Sequence, residues 1–207
     1  MTIRIVPTQP EHYQRLAELQ ISNFPTIDES EAFTVEMFAR HVELFPDGQM
    51  TALVHEDGRD IVAGCTVTFR THQPFETDPD HDYFTFIGHG WLTAHEADGV
   101  YLYGVDMNLD PAFRGRGIAR LFYDARRDLV RRLGLKGEIV AGLLPGYPVY
   151  REMYTVHEYA NRVVAGDIFD PTFSVQLRNG FVLDRLLHGY VHDPRSDNWC
   201  TLMRRDA

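Results

Sequence analysis

The sequence predicts a single α/β (α+β) domain, and three observations carry the prediction. Seven short runs have the alternation or continuous apolar character of strands. Segments with helical spacing fall between them. The chain has 207 residues, of which 44% are hydrophobic, enough to fill one core. No repeat, low-complexity tract or linker divides it, so residues 1–207 are read as one domain.

In chain order, "TIRIVPT" reads as a strand and "PEHYQRLAELQISNF" as a helix, with Tyr13, Leu16, Leu19 and Ile21 on one side. "SEAFTVEMFARHVELF" predicts a second helix, with Ser30 as N-cap and "PDG" as its stop. "QMTALVHED" and "DIVAGCTVTFR" flank the turn residues "DGRD" and predict a hairpin. Residues 71–99 read as a long functional loop with one helical turn. "VYLYGVDMNLD" is the next strand. "IARLFYDARRDLVRRLG" is the strongest helix, with Ile118, Leu121, Phe122, Ala125, Leu129 and Leu133 as its apolar stripe and Gly134 at C′. "GEIVAGLL" is a strand, "TVHEYANRVVAG" and "PTFSVQLRNG" are helical, and "FVLDRLLHGYV" and "NWCTLMRR" close as strands.

The charge balance is acidic, with 30 Asp and Glu against 20 Lys and Arg, a formal net charge of −10. That argues against a general nucleic-acid binder, which carries a basic face, and suits a cationic small substrate. Two cysteines, Cys65 and Cys200, lack metal-ligand spacing and read as thiols; Cys65 sits among apolar strand residues as a core thiol. The start lacks a signal-peptide pattern and no apolar run reaches the roughly 18 residues of a membrane span. A cytoplasmic protein without membrane or metal is the expectation. His72, His81, His89 and His95 share a loop with Asp78, Asp80, Asp82, Glu96 and Asp98, which reads as a solvated polar loop or an acidic rim for a cationic acceptor.

The chemistry concentrates in "DPAFRGRGIARLF". A strand leads into the turn, a helix leads out, and glycines stand at 115 and 117. Glycine permits positive φ and close approach of a ligand. The first helical amides lack internal partners and lie at the positive end of the helix dipole. Together they predict an anion site, most naturally for phosphate. The dinucleotide fingerprint fails because Arg120 stands where its third glycine belongs, and the P-loop fails for want of a Lys-Ser or Lys-Thr pair.

What fits is R-x-x-G-x-A over Arg114 to Ala119. Here the sequence resembles the GCN5-related N-acetyltransferase family, whose loop reads [RQ]-x-x-G-x-[GA]. "NLDPAFRGRGIA" is similar to that family's V-x-P-x-x-R-G-x-G-x-G, with Leu109 for Val and Ala119 for the last Gly. "FSVQLRNGF" resembles its "LYEKLGF" signature. "ELFPDGQ", "LYGVDMNLDPAFRGRGIARLFYDARRDL" and "IFDPTFSVQLRNGF" look like the acetyltransferase half of bacterial chains that carry a carbon–nitrogen hydrolase domain afterwards. The sequence ends where that domain would begin, so no hydrolase activity is expected.

The resemblance implies a mixed, mostly antiparallel sheet of six to seven strands with helices on both faces. It implies acetyl-coenzyme A as cosubstrate, its pyrophosphate cradled by Arg114, Gly115, Arg116, Gly117, Ile118 and Ala119. The backbone of Met107, Asn108 and Leu109 would hold the pantetheine and polarise the thioester. Asp106 matches the position of the base; its other reading is a residue that bonds the sheet or orients substrate. The family's tyrosine acid is replaced by Gln176, and Tyr147, Tyr150 and Tyr154 are the substitutes in view. Alternation places Tyr101, Tyr103, Val105, Met107 and Leu109 on one face of their strand and Leu102, Gly104, Asp106 and Asn108 on the other. Arg126, Arg127, Arg131 and Arg132 read as the wet face of their helix, with one or more in reach of the coenzyme's 3′-phosphate.

The function expected is acetyl-coenzyme A-dependent N-acetylation of a primary amine, small or peptidic, by direct transfer, with a homodimer left open. The alternative is a non-catalytic acyl-coenzyme A-binding or regulatory domain. A phosphate module unrelated to coenzyme A ranks third.

Overall fold

The computed structural model describes residues 1–23, 31–72 and 82–207. Its strands are β1 (Thr2–Pro7), β2 (Gln49–Glu56), β3 (Arg59–Thr71), β4 (Tyr101–Leu109), β5 (Gly137–Leu143), β6 (Val182–His188) and β7 (Trp199–Asp206). Its helices are α1 (Pro10–Asn23), α2 (Val35–Leu44), α3 (Tyr83–Phe86), α4 (Ile118–Arg132), α5 (Val156–Ala165) and α6 (Phe173–Arg178). All seven strands form one sheet in the order β1-β2-β3-β4-β5-β7-β6. Every pairing is antiparallel except β4 with β5. Among the described residues no helix is long and apolar enough to cross a membrane.

Helices cover both faces. Tyr13 and Leu16 of α1 and Phe38 of α2 pack with Phe69, Tyr103 and Val105. On the other face Ile118, Phe122 and Leu129 of α4 pack with Ala52, Ala63 and Leu102. The hairpin turn is as predicted, with Asp57 and Gly58 at φ 51° and 76°. The second helix starts later than predicted: Thr34, not Ser30, caps it by accepting from the Met37 amide. Ser30 itself lies outside the described residues.

Two features of β4 decide the site. Opposite β3, Val67 pairs with Asp106 and Thr68 with Gly104, so Val105 is an extra, bulged residue. A one-residue slip moves everything after it to the other face. Tyr103 and Val105 therefore pack toward α1 and α2, and past the bulge Asp106 and Asn108 join them, bonding Gln20 and Asn23 of α1. Leu102 packs with α4, and so do Met107 and Leu109. The alternation read from the sequence holds only as far as Val105; the bulge reverses it for 106–109.

Parallel pairing with β5, meanwhile, runs from Tyr101↔Gly137 to Gly104↔Val140 and no further. Beyond that point Val105, Asp106 and Met107 form one wall of a cleft, and Ala141, Gly142 and Leu143 the other.

The base of this split is filled from below by a buried ion group. Arg126 of α4, 2% exposed, meets Glu138 of β5, 1% exposed, and Glu138 also pairs with Arg205 of β7. The wet-face reading thus fails for Arg126, while Arg131 and Arg132 are solvated. Leu121, assigned to the apolar stripe, is exposed instead, and Tyr123, Arg126 and Val130 are buried.

Gly104 makes room for the arginine: a Cβ there would stand 1.7 Å from Arg126 Nη2 and 2.7 Å from Val140 Cγ1. Gly104→Ala should therefore destabilise the fold by about 1–3 kcal/mol through overpacking around an immobilised side chain. A lowered denaturant midpoint at unchanged m-value checks this.

Candidate active site

The cleft between β4 and β5 holds a cavity of about 250 Å³ that runs through the sheet. On the α4 face it is lined by Tyr123, Arg126, Thr172 and Gln176. On the α1 face it is lined by Gln20, Glu31, Phe33, Tyr83, Phe84 and Asp106. One opening thus presents tyrosine, arginine and amide, and the other presents carboxylates and aromatic rings.

Asp106 projects into this space half-buried. Gln20 Nε2 donates to its Oδ2 at 2.6 Å, and Thr66 Oγ1 donates to its backbone carbonyl at 3.0 Å. Desolvation pushes its pKa up from 3.8 to about 6. The Gln20 bond, a bond from the Met107 amide and the charge of Arg126 pull the other way without cancelling the effect. The carbonyl of bulged Val105 accepts from the Tyr83 hydroxyl at 3.0 Å, which fixes the kink beside Asp106.

Tyr123, absent from the sequence reading, comes from the second turn of α4. Its side chain interacts with that of Gln176, which pulls its pKa down. Burial outweighs this and raises the Tyr123 pKa. Gln176 is buried, and among the described residues its Oε1 has no hydrogen-bond partner. Tyr147, Tyr150 and Tyr154, offered as substitute acids, do not line the cavity. They pack around Tyr159 in the core under α5, and the Tyr147 hydroxyl reaches the Tyr154 carbonyl at 3.4 Å.

The glycine-arginine turn leads from the end of β4 into α4. Asp110 caps a short 3-10 turn over Pro111–Phe113 and is held by Arg15 at 2.8 Å. Gly115 and Gly117 take φ of 74° and 81°, and a Cβ on either would meet open space. Positive φ, rather than crowding, explains glycine here. No side chain caps α4, so the N-terminal amides of its first turn are left for an anion. Arg114 is tied back to Asn23 Oδ1 at 2.7 Å and to the Leu109 carbonyl at 3.3 Å, while Arg116 lies over the Phe113 ring. Ile118 is buried in the core and Ala119 is half-buried.

Met107 lines the cavity. Asn108 and Leu109 lie beyond it, and Asn23 bonds the Asn108 side chain and donates to the Leu109 carbonyl at 2.8 Å. At 1.5 Å per residue, Gly117 and Arg126 stand about 13 Å apart along α4. A ligand that places a phosphate at the helix start and a reacting group in the cavity must therefore be long.

Both cysteines are free and buried, and burial pushes the thiol of Cys200 up to about 12. Among the described residues no three His, Cys, Asp or Glu come together as metal ligands. His81, Asp78 and Asp80 lie outside them. Of the remaining loop residues, His95 stacks on Phe45, and His72 faces Asp98 at 3.2 Å.

This sheet, with its split parallel pair and glycine turn, is the fold of the GCN5-related N-acetyltransferases, and the resemblance read from the sequence stands in the structure. The structure of GphF, a GNAT-like decarboxylase in complex with isobutyryl-CoA, superposes with a TM-score of 0.75 at 19% identity, over 98% of each chain. By sequence the chain is similar to two proteins of Bacillus subtilis (strain 168). It is 34% identical over 98% of its own length to "Probable hydrolase YhcX" but spans only 38% of that protein. It is 29% identical over 92% of its length to "Uncharacterized N-acetyltransferase YkwB", of which it spans 82%. No family model matches the sequence.

The raised carboxyl of Asp106 has a consequence for stability. Between pH 3.8 and about 6 the folded protein holds its proton more tightly than the unfolded chain. Raising the pH through that window therefore costs the folded state, and above it the cost is constant. The unfolding free energy of Asp106→Asn minus that of wild type should rise across the window and level off above it. Paired denaturation curves at a series of pH values read this directly.

Proposed function

We propose that residues 1–207 form one N-acetyltransferase domain that moves an acetyl group from acetyl-coenzyme A to a primary amine by direct transfer in the cytoplasm. The observation that carries the reading is a carboxyl raised to about 6 in the split between β4 and β5, on the strand that leads into an uncapped glycine turn.

In this reading the amides of Gly115, Arg116, Gly117, Ile118 and Ala119 hold the pyrophosphate, with Arg114 at the turn's base. The pantetheine runs along the backbone of Met107, Asn108 and Leu109 into the cleft, where a strand amide polarises the thioester carbonyl. The Leu109 carbonyl is already bonded to Asn23 and Arg114, which leaves the larger share to Met107 and Asn108.

The amine enters from the α1 face. Glu31, Phe33, Tyr83 and Phe84 offer a carboxylate and ring faces, which suit an alkylammonium. Asp106 then receives the ammonium proton, directly or through water. At about 6 its pKa lies closer than an ordinary aspartate's to an alkylammonium near 10.4. The amine nitrogen attacks the carbonyl carbon, the C–S bond breaks, and the sulfur leaves as thiolate or takes a proton. Gln176 can only hydrogen-bond it, since an amide gives up no proton at neutral pH. Tyr123, in the same pocket, is the hydroxyl placed to supply one.

A second reading is that the chain processes acyl-coenzyme A without an amine. The TM-score of 0.75 to a GNAT-like decarboxylase favours it. Two readouts separate them: the first reading requires thiol release that depends on amine, and the second requires loss of carbon dioxide from a carboxylated acyl-coenzyme A with the thioester intact and no amine present.

Asp106→Asn should lower amine-dependent turnover about 10²-fold or more while acetyl-coenzyme A still raises the melting temperature. Gly117→Asp should abolish that thermal shift in a folded protein, because it puts a negative side chain at the phosphate position and strains a positive φ. Tyr123→Phe should slow turnover about tenfold and alter the alkaline limb of the pH profile. Unchanged turnover in Asp106→Asn between pH 6 and 9 would remove it as the base.

A further inference from the structure

The half of the cleft that faces α4 ends in a charge. Arg126 lines it under Gly104, sealed from solvent, and Glu138 is the carboxylate in contact with it. Glu138 is shared with Arg205, so two guanidinium groups stand on one carboxylate. Within this three-residue group positive charge exceeds negative by one, and Asp106, which acts on Arg126 through space without touching it, offsets that only in part; a buried charge without full pairing is costly.

The hydrogen-bonding of Arg126 is equally incomplete. Among the described residues its Nε has no acceptor, and its Nη1 reaches Thr66 Oγ1 at 3.4 Å. Nη2 is in ion-pair contact with Glu138. Beside it, the Tyr123 hydroxyl lines the same cavity and can donate a hydrogen bond as well as accept one. Asp106 acts on Arg126 through space but faces α1 and is bonded to Gln20. An acyl group ending in methyl would leave the guanidinium as it stands. One ending in a carboxylate would accept from Arg126 and Tyr123 together and balance the charge.

We propose that the acyl pocket takes, beside acetyl, short acyl groups that end in a carboxylate, with Arg126 as the residue that receives the carboxylate and Tyr123 as the second donor. The donors would then include half-thioesters of dicarboxylic acids with coenzyme A. The proposal rests on the coenzyme A reading of the cleft and not on the choice of acceptor.

The test compares thioesters of matched length by titration calorimetry: malonyl- against propionyl-coenzyme A, and succinyl- against butyryl-coenzyme A. The carboxylated member of at least one pair should bind about tenfold tighter to wild type. In Arg126→Met, where Glu138 keeps Arg205 as a one-to-one partner, that ratio should collapse toward one. Arg126→Lys keeps the charge without the fork and should retain part of it. Equal or weaker binding of both carboxylated donors to wild type overturns the proposal even if no variant folds. A ratio that survives in folded Arg126→Met overturns it too, because another residue would then read the carboxylate. If free coenzyme A itself does not bind, the reading of the cleft fails and this proposal with it; if it binds and the ratios are flat, only this proposal fails.

Discussion

The structure turns on a charge buried under a glycine. Arg126, Glu138 and Arg205 join α4, β5 and β7 beneath the point where β4 and β5 last pair, and Gly104 is the residue whose missing side chain lets the guanidinium lie there. Burying such a group is expensive, and removing one partner of a buried pair costs about 3–5 kcal/mol. The arrangement is therefore a firm constraint on where α4 can sit. Since α4 also begins at the glycine turn, its fixed position sets the distance between the anion-ready amides and the cleft. The same arginine helps keep Asp106 from rising further than about 6.

The bulge at Val105 supplies the second half of the design. Without it, Asp106 would point toward α4 and the arginine. With it, Asp106 turns to the opposite face and meets Gln20, so the carboxyl and the guanidinium line opposite mouths of one opening. Two sides with different chemistry are what a transfer between unlike molecules needs. A long thioester suits the side that joins the helix start, and an amine suits the side with carboxylates and rings.

Much of this could be read from the residues. The seven strands, the long helix ending at Gly134 and the turn at 115–117 all have local causes: alternation, an apolar stripe, positive φ. What escaped had non-local causes. A bulge at a β-branched residue leaves no local mark, so strict alternation was carried past Val105 and put Asp106 on the wrong face. Arg126 looked solvated because arginine usually is, and Leu121 looked buried for the converse reason. Two signals did exist: a glycine in mid-strand at 104 and a glutamate inside the apolar run "GEIVAGLL". Read together, they ask for a cation between β4 and β5. Tyr123 escapes because the resembling family keeps its acid at the position of Gln176, which directs the search for a substitute to Tyr147, Tyr150 and Tyr154 after the next strand.

The central claim is that one long ligand spans from the turn at 115–119 to the cleft beside Met107. Residue-resolved amide hydrogen exchange with and without acetyl-coenzyme A tests it most directly. Added protection is expected at the amides of residues 115–119 and 107–109 together, with β1 and its pairing to β2 unchanged. Protection confined to other segments, or at only one of these two stretches, would contradict it.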